Sequence, residues 1–498
     1  MGKKGYLAID LGAESGRVVL GVLAEERLKL HEIHRFGHQV LPLPSGLHWN
    51  LTGLWQGMLE GIRKAVATAR DQDISLASLG VDAWGVDWAT ITAKGELLGL
   101  PHCYRDAAHA MAFERLMEDP GGAAIFDATG IQLLPLNTLF QLASRHQREP
   151  VLLERAHKLL FIPDLFHFLF TGRAVVEETI ASTSQMTDTR TGNWAVDLLE
   201  QLGLPTAMLG EIIPTGTTIG PMLPEIAAEV GLVDPLPVVA PAAHDTAAAV
   251  AAVPANRETS WCYLSSGTWS LMGAELEAPI ISSEARDAPF TNERGVGGST
   301  RFLKNIIGLW LVQQCRQELL RDGVEYSYAD LTKAAGEAEP FRTLLDPDYE
   351  PFMLPGGMLT KIADYARSTG QPVPDSPGQF VRSCLESLAL TYRRTLEKLE
   401  QVTARRYEHL HIVGGGGKNE LLCQMTSDAI SRPVIVGPEE ATAAGNVLTQ
   451  ALGTGDVDDL WHIRQIVAAS FQVTHYQPGE KKAWDTAYDR FLKLRGEA

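Results

Sequence analysis

Apolar residues at the start of the chain fall into short runs. Tyr6–Asp10, Val18–Leu23 and His31–Phe36 each read as a strand, and the stretch from about Leu51 to Ala69 carries apolar residues at helical spacing. Leu79-Gly80-Val81-Asp82 reads as a further buried strand that leads into Trp84-Gly85-Val86-Asp87-Trp88. This order predicts a mixed sheet with a helix on its face, rather than the strict strand-helix alternation of a dinucleotide fold. From about Pro101 to Pro221 the pattern turns more helical, with turns at Thr171-Gly172 and Thr191-Gly192, as an insertion around a substrate pocket would. A short strand at Pro237–Pro241 then precedes His244-Asp245, and the polar run Pro254–Glu258 marks a domain junction, so that 1–254 and 255–498 are the expected domains.

The second half has its own strand-helix layer. Ser376-Pro377-Gly378-Gln379 places Ser at a helix N-cap, Pro at the first helical position and Gln379 where a capping box wants it. Phe380, Cys384, Leu388, Tyr392, Leu396 and Leu399 then recur on one helical face. A strand at His409–Val413 ends in Gly414-Gly415-Gly416-Gly417, and a helix at Asn419–Ile430, a strand at Pro433–Val436 and a helix at Glu440–Leu452 complete the layer. Near mid-chain, Tyr263-Leu264-Ser265-Ser266-Gly267-Thr268-Trp269-Ser270 repeats the design of Tyr6–Arg17, a strand breaking into a small hydroxyl- and glycine-rich turn. Such turns expose backbone N–H groups suited to phosphate oxygens, and two of them suggest two related halves facing one ligand.

Composition narrows the partners. At 498 residues, 45% hydrophobic and 21% charged, the chain is long enough for two or three cores. With 43 Lys and Arg against 61 Asp and Glu, its net charge of -18 disfavours nucleic acid and anionic lipid. Met1–Tyr6 lacks an apolar signal core, and the most apolar stretch, about Leu236 to Val253, carries His244 and Asp245, so a cytoplasmic protein with no membrane span is expected. The five cysteines are widely spaced without a C-x-x-C pair and read as buried free thiols.

Three groups of residues could carry chemistry. Asp10, at the end of a strand beside a turn of free amides, could hold a phosphate-bound Mg²⁺ through water or could merely cap the turn. The run Gly414–Gly417 is not a Walker loop, because Gly417-Lys418 is followed by Asn419 and the earlier glycine stands at the wrong distance. Asp245 follows an apolar strand and precedes Thr246-Ala247-Ala248-Ala249, where a carboxylate could take a proton, bind a cation, or cap the alanine helix. His31, His34 and His38 fit an alternating strand better than a metal cluster, and Trp84 and Trp88 are pocket wall or core. Arg105 and Asp106 could serve the site or brace a loop as an ion pair.

The segments Asp10–Arg17, Trp84–Asp87, Tyr104-Arg105-Asp106, His244-Asp245-Thr246, Leu264–Gly273 and Leu303–Leu311, in this order over nearly the whole chain, resemble the FGGY carbohydrate kinases. The resemblance implies an α/β fold of two ribonuclease-H-like, actin-type ATPase domains with the active site in a cleft between them. It implies transfer of the ATP γ-phosphoryl group to a primary hydroxyl of a ketose sugar, with ATP and Mg²⁺ as cofactors, in a monomer or homodimer. By the same resemblance Ala13, Glu14, Ser15, Gly16, Arg17, Thr268, Gln313 and Gly415 fall at nucleotide positions. Gly85, His244, Asp245, Thr246 and Asn305 fall at sugar positions, Asp245 is the general base, and Asp10 and Asp245 serve the metal. Glu14 stands where relatives carry Ser or Thr, so only its amide is expected to serve, with the side chain facing solvent.

Overall fold

The early strand runs pair in the computed structural model, which describes residues 3–13, 15–479 and 481–497. The chain divides into two units, one of Met1–Pro254, Glu275–Phe302 and Ala441–Phe471, the other of Ala255–Ala274, Leu303–Glu440 and Gln472–Ala498.

In the first unit β1 (Lys4–Leu11), β2 (Ser15–Ala24) and β3 (Arg27–Gly37) form an antiparallel meander, and β4 (Ser75–Ala83), β5 (Thr218–Pro221) and β6 (Pro237–Val239) extend it in the order β5-β6-β4-β1-β2-β3. Strands β6, β4 and β1 are mutually parallel, so their carboxyl ends lie on one edge of the sheet. Helix α1 (Leu51–Asp71) starts at Asn50, whose side chain accepts from the Gly53 amide, and buries Leu51, Leu54, Met58, Ile62, Ala65 and Ala69 at three- and four-residue intervals. Two later helices complete the support. Helix α2 (Asp245–Ala251) carries a run of small buried residues. Against it lies the helix Ala441–Gly453, where an added Cβ on Gly445 would meet the Ala248 carbonyl oxygen at 1.8 Å, so only glycine permits that approach.

The second unit repeats the plan. Strands β7 (Trp261–Ser266), β8 (Trp269–Leu276), β9 (Thr300–Ile307), β10 (His409–Val413), β11 (Val434–Val436) and β12 (Thr474–Tyr476) run in the order β9-β8-β7-β10-β11-β12. Strands β7 and β8 are antiparallel, whereas β7, β10 and β11 are parallel, so each unit joins an antiparallel hairpin to parallel strands. The helix Pro377–Thr403 buries Cys384, Leu388, Tyr392, Leu396 and Leu399 as its spacing predicts. Ser376 accepts from the Gln379 amide, but the Gln379 side chain bonds Glu339 O instead of closing a capping box. A tertiary acceptor thus takes the place of the local one. All five cysteines are free and buried, and no described helix is long and apolar enough to cross a membrane.

Candidate active site

Three carboxylates collect at the parallel edge of the first unit. Asp10 lies at the end of β1 in register with Asp82 near the end of β4, and Ala83 N donates to Ala243 O just before Asp245. A parallel bridge pairs Ala83 with His244. Loops at the carboxyl ends of adjacent parallel strands are the usual ligand edge of such sheets. The Asp10 carboxylate accepts from Arg17 Nε at 2.9 Å and Nη2 at 2.7 Å, which ties the two ends of the first glycine turn together. Within that turn Gly12 N donates to Ser15 O, and His38, just past the end of β3, reaches Gly12 O at 2.7 Å. Ala13, Ser15 and Arg17 are part-exposed here. Gly16 is buried, and its missing Cβ makes room for the Phe36 ring, 2.5 Å from where that atom would stand. The expectation for Glu14 lies outside the described residues.

Asp82 is fully buried. Asn446 Nδ2 donates to its Oδ2 at 2.5 Å, while Oδ1 has no hydrogen-bond partner among the described residues. Burial, reinforced by the charge of Asp10, pushes the Asp82 carboxyl well above the ordinary carboxylate range. Asp245 is the first residue of α2 and does not serve as its N-cap, which is His244. Its carboxylate accepts from Thr246 N at 2.5 Å and Thr246 Oγ1 at 3.1 Å, and its side chain remains 32% exposed. Loss of solvation raises its proton affinity, with the nearby Asp10 charge adding to the effect against the pull of His244. The result is an accessible carboxylate with raised basicity beside two others.

His244 is oriented from behind. Arg301, fully buried, places Nη2 at 3.1 Å from His244 Nδ1 and 3.0 Å from Glu293 Oε2. Because guanidinium only donates, Nδ1 accepts and the ring proton sits on Nε2, 3.4 Å from Asp245 Oδ1. Burial disfavours the Glu293 charge, yet the Arg301 guanidinium outweighs it and holds that carboxyl below its ordinary value.

Gly85 begins a strained turn. Asp87 N donates to Gly85 O across Val86, whose φ of +68° is a costly conformation for a β-branched residue. Thr183 Oγ1 accepts from Val86 N, and Thr138 Oγ1 donates to Val86 O, so neighbouring segments hold the turn. Asp87, fully buried, accepts from Trp49 Nε1 at 2.5 Å, Trp84 Nε1 at 3.0 Å, Gln141 Nε2 at 2.9 Å and Tyr104 N at 3.3 Å. Burial pushes its carboxyl up to about 7 against those donors. The indoles of Trp49 and Trp84, 4.3 Å apart, form with His38 an aromatic cluster next to the Asp10 turn. Trp84 is buried in the hydrophobic core, and Asp106 braces loops by accepting from Leu47 N and Ala108 N.

In the second unit the corresponding edge carries the other hairpin. Gln313 Nε2 donates to Thr268 Oγ1 at 3.0 Å, bringing together two of the expected nucleotide residues. Gly308 N and Trp310 N donate to Thr268 O, and Leu309 N donates to Gly267 O. An added Cβ on Gly308 would meet Gly267 O at 2.7 Å, whereas one on Gly267 would find ordinary space. The close approach in this hairpin is thus made by Gly308. Gly414, at φ +87°, turns the chain from β10 into a tight helical turn at Gly415–Lys418, and Asn419 then caps the helix Glu420–Ile430. Gly415 is exposed with open space around it, while Gly416 packs on Ser266. Asn305 lies in this unit on β9, in the segment that leads to Gly308.

Known proteins resemble the chain at the levels of family, sequence and fold. The model of the FGGY family of carbohydrate kinases, N-terminal domain, matches residues 5–252, and that of the C-terminal domain matches 262–454. A rhamnulokinase from Bacteroides thetaiotaomicron is 42% identical over 489 residues, covering 98% of this chain and 99% of the relative. One from Bacillus subtilis is 36% identical over 473 residues, covering 95% of each. Among solved structures, a gluconate kinase from Lactobacillus acidophilus superposes with a TM-score of 0.81 at 15% identity, covering 99% of this chain and 98% of that one. A xylulose kinase from Rhodospirillum rubrum gives 0.79 at 18% identity, with the same coverage. These two show the fold alone, a two-domain mixed α/β architecture of the actin-like ATPase type. Matched through both of its halves and over nearly its whole length by such relatives, the chain belongs to the FGGY family of carbohydrate kinases and is a sugar kinase that transfers phosphate from ATP.

Proposed function

We propose that the protein phosphorylates L-rhamnulose at its C1 hydroxyl, forming L-rhamnulose 1-phosphate in the catabolism of L-rhamnose, with Asp245 as general base. For the sugar, the carrying observation is similarity over nearly the whole chain to relatives named rhamnulokinase. For the base, it is an accessible carboxylate of raised proton affinity at the start of α2, faced by the Nε2–H of His244. Asp245 would accept the hydroxyl proton while the oxygen attacks the γ-phosphorus and the bond to the bridging oxygen breaks to release ADP, a role for the base that contributes about 10²–10⁴ in rate. Gly85, His244, Thr246 and Asn305 would contact the sugar. Ala13, Glu14 (through its amide), Ser15, Gly16, Arg17, Thr268, Gln313 and Gly415 would contact the nucleotide.

Mg²⁺ fits the residues present. The Asp10 charge raises the proton affinity of both Asp82 and Asp245, Asp245 adds to that of Asp82, and Asp82 Oδ1 lacks a hydrogen-bond partner among the described residues, so their edge favours a cation. No described group of three or more His, Cys, Asp or Glu could hold a metal by itself, which suits an ion that keeps waters and shares substrate oxygens. Asp10 and Asp245 would hold it, and when bound it would neutralise charge on the transferred phosphate. A cytoplasmic location is part of the same reading, since ATP and the sugar are small soluble substrates.

The test is ADP release from ATP with a panel of acceptors. The reading requires kcat/KM to be highest for L-rhamnulose, above fuculose, xylulose and glycerol, with NMR of the product placing phosphate on C1. A higher value for any of the others would overturn the sugar assignment.

A further inference from the structure

The loop before Asp245 has few local bonds to fix it. Ala243 and His244 connect β6 to α2, and no side chain caps the start of that helix. Their amides find acceptors on a distant segment. Glu177, fully buried, accepts through Oε2 from Thr179 N at 2.8 Å, Thr179 Oγ1 at 2.6 Å, Ile180 N at 3.1 Å and Ala243 N at 3.3 Å. Its Oε1 accepts from Thr215 Oγ1 at 2.5 Å. Thr179 Oγ1, having given its proton to Glu177, accepts from His244 N at 3.1 Å. Glu177 is anchored in turn, since its own amide donates to buried Asp164 at 3.0 Å. A few residues on, Thr183 Oγ1 accepts from Val86 N, so the same segment braces the Gly85 turn.

The geometry points to Glu177 and Thr179 as positioning residues that hold the Ala243–His244 backbone, and through it the Asp245 carboxylate, in place for proton transfer. This rests on the reading of Asp245 as the base. The Ala243 and His244 amides and the Thr179 hydroxyl are buried and each has one acceptor, so losing the Thr179 hydroxyl strands the His244 amide and takes one donor from Glu177. Thr179 has no reason of packing to be threonine rather than valine, because the two have nearly the same shape. The hydroxyl is the chemical difference.

Thr179→Val and Thr179→Ser make the sharpest comparison, with Glu177→Ala and Glu177→Gln as the second pair. In Thr179→Val, kcat with saturating sugar and ATP should fall about tenfold or more, because small misplacements of a reacting group are costly, while KM for ATP stays within about twofold. Thr179→Ser restores the hydroxyl and should return kcat to within about threefold of the parent, since the bond rather than the methyl is at stake. Glu177→Gln can keep the four bonds at its oxygen and donate to Thr215, so it should outperform Glu177→Ala. Hydrogen exchange of the 240–250 segment gives a readout independent of chemistry, and it should speed up in Thr179→Val.

Folded Thr179→Val with parental kcat, or with unchanged exchange over 240–250, would overturn the positioning role. Asp245→Asn separates this failure from failure of the base assignment. If Asp245→Asn turns over normally while exchange in Thr179→Val still rises, the base is wrong and the brace stands as a structural one only.

Discussion

Gly445→Ala probes the packing that carries Asp245. The added Cβ would sit 1.8 Å from Ala248 O, 2.5 Å from its carbonyl carbon and 2.9 Å from its Cα. Ordinary Cβ contacts begin at 3.4 Å, so the helix Ala441–Gly453 must retreat from α2 by 3.4 minus 1.8, or about 1.6 Å, against backbone that has no rotamer to yield. Overpacking of this kind costs about 1–3 kcal/mol, and a backbone obstacle belongs at the upper end; the better helix propensity of alanine returns about 1 kcal/mol. A net loss of about 2 kcal/mol is expected in urea denaturation. Ala248 stands less than one turn after Asp245, so a displaced α2 should also lower kcat about 10- to 100-fold. Gly336→Ala is the control, because its Cβ would find no atom nearer than Leu421 Cδ2 at 4.0 Å. That variant should be slightly stabilised and fully active. Gly445→Ala with parental stability and parental kcat would refute the reasoning.

Gly308→Ala should raise KM for ATP more than Gly267→Ala does, because only at Gly308 does a Cβ collide with the hairpin backbone; steady-state kinetics at saturating sugar checks this. Asp87 has its proton affinity raised to about 7 by burial, so between the unfolded value of about 4 and about 7 the unfolded chain gives up the proton first and stability falls as pH rises. Denaturation at pH 5 and pH 8 should therefore show the parent losing stability relative to Asp87→Asn, by at most about 3 kcal/mol, and a constant difference would contradict the shift. Nitrogen NMR of His244 should report the Nε2–H tautomer, as donation from Arg301 requires; the Nδ1–H tautomer would break that assignment.

Local chemistry made parts of this molecule readable. The strand runs, the two glycine turns and the capped helices depend on neighbours in sequence, so Asp10, the Thr268 hairpin and the Gly414 turn stand where their patterns put them. Asp245 could be singled out from the small residues after it, but its N-cap alternative could be set aside only once His244 was seen to occupy the N-cap position. Asp82 was visible only as the end of a buried strand, and its register with Asp10 and its bond to Asn446 come from pairings across the chain. Glu177, Glu293 and Arg301 carried no local signal. A buried carboxylate that also takes a donor 66 residues away, as Glu177 takes the Ala243 amide, looks in sequence like any surface acid. Likewise the Gly308 approach to the Gly267 backbone is a tertiary fact, whereas the sequence drew attention to Gly267.

The most direct test of the central claim is turnover by Asp245→Asn with ATP, Mg²⁺ and L-rhamnulose, alongside calorimetric binding of the sugar. Loss of kcat by about a hundredfold or more, with sugar affinity largely kept, is the result expected of a missing general base. Near-parental turnover would contradict it.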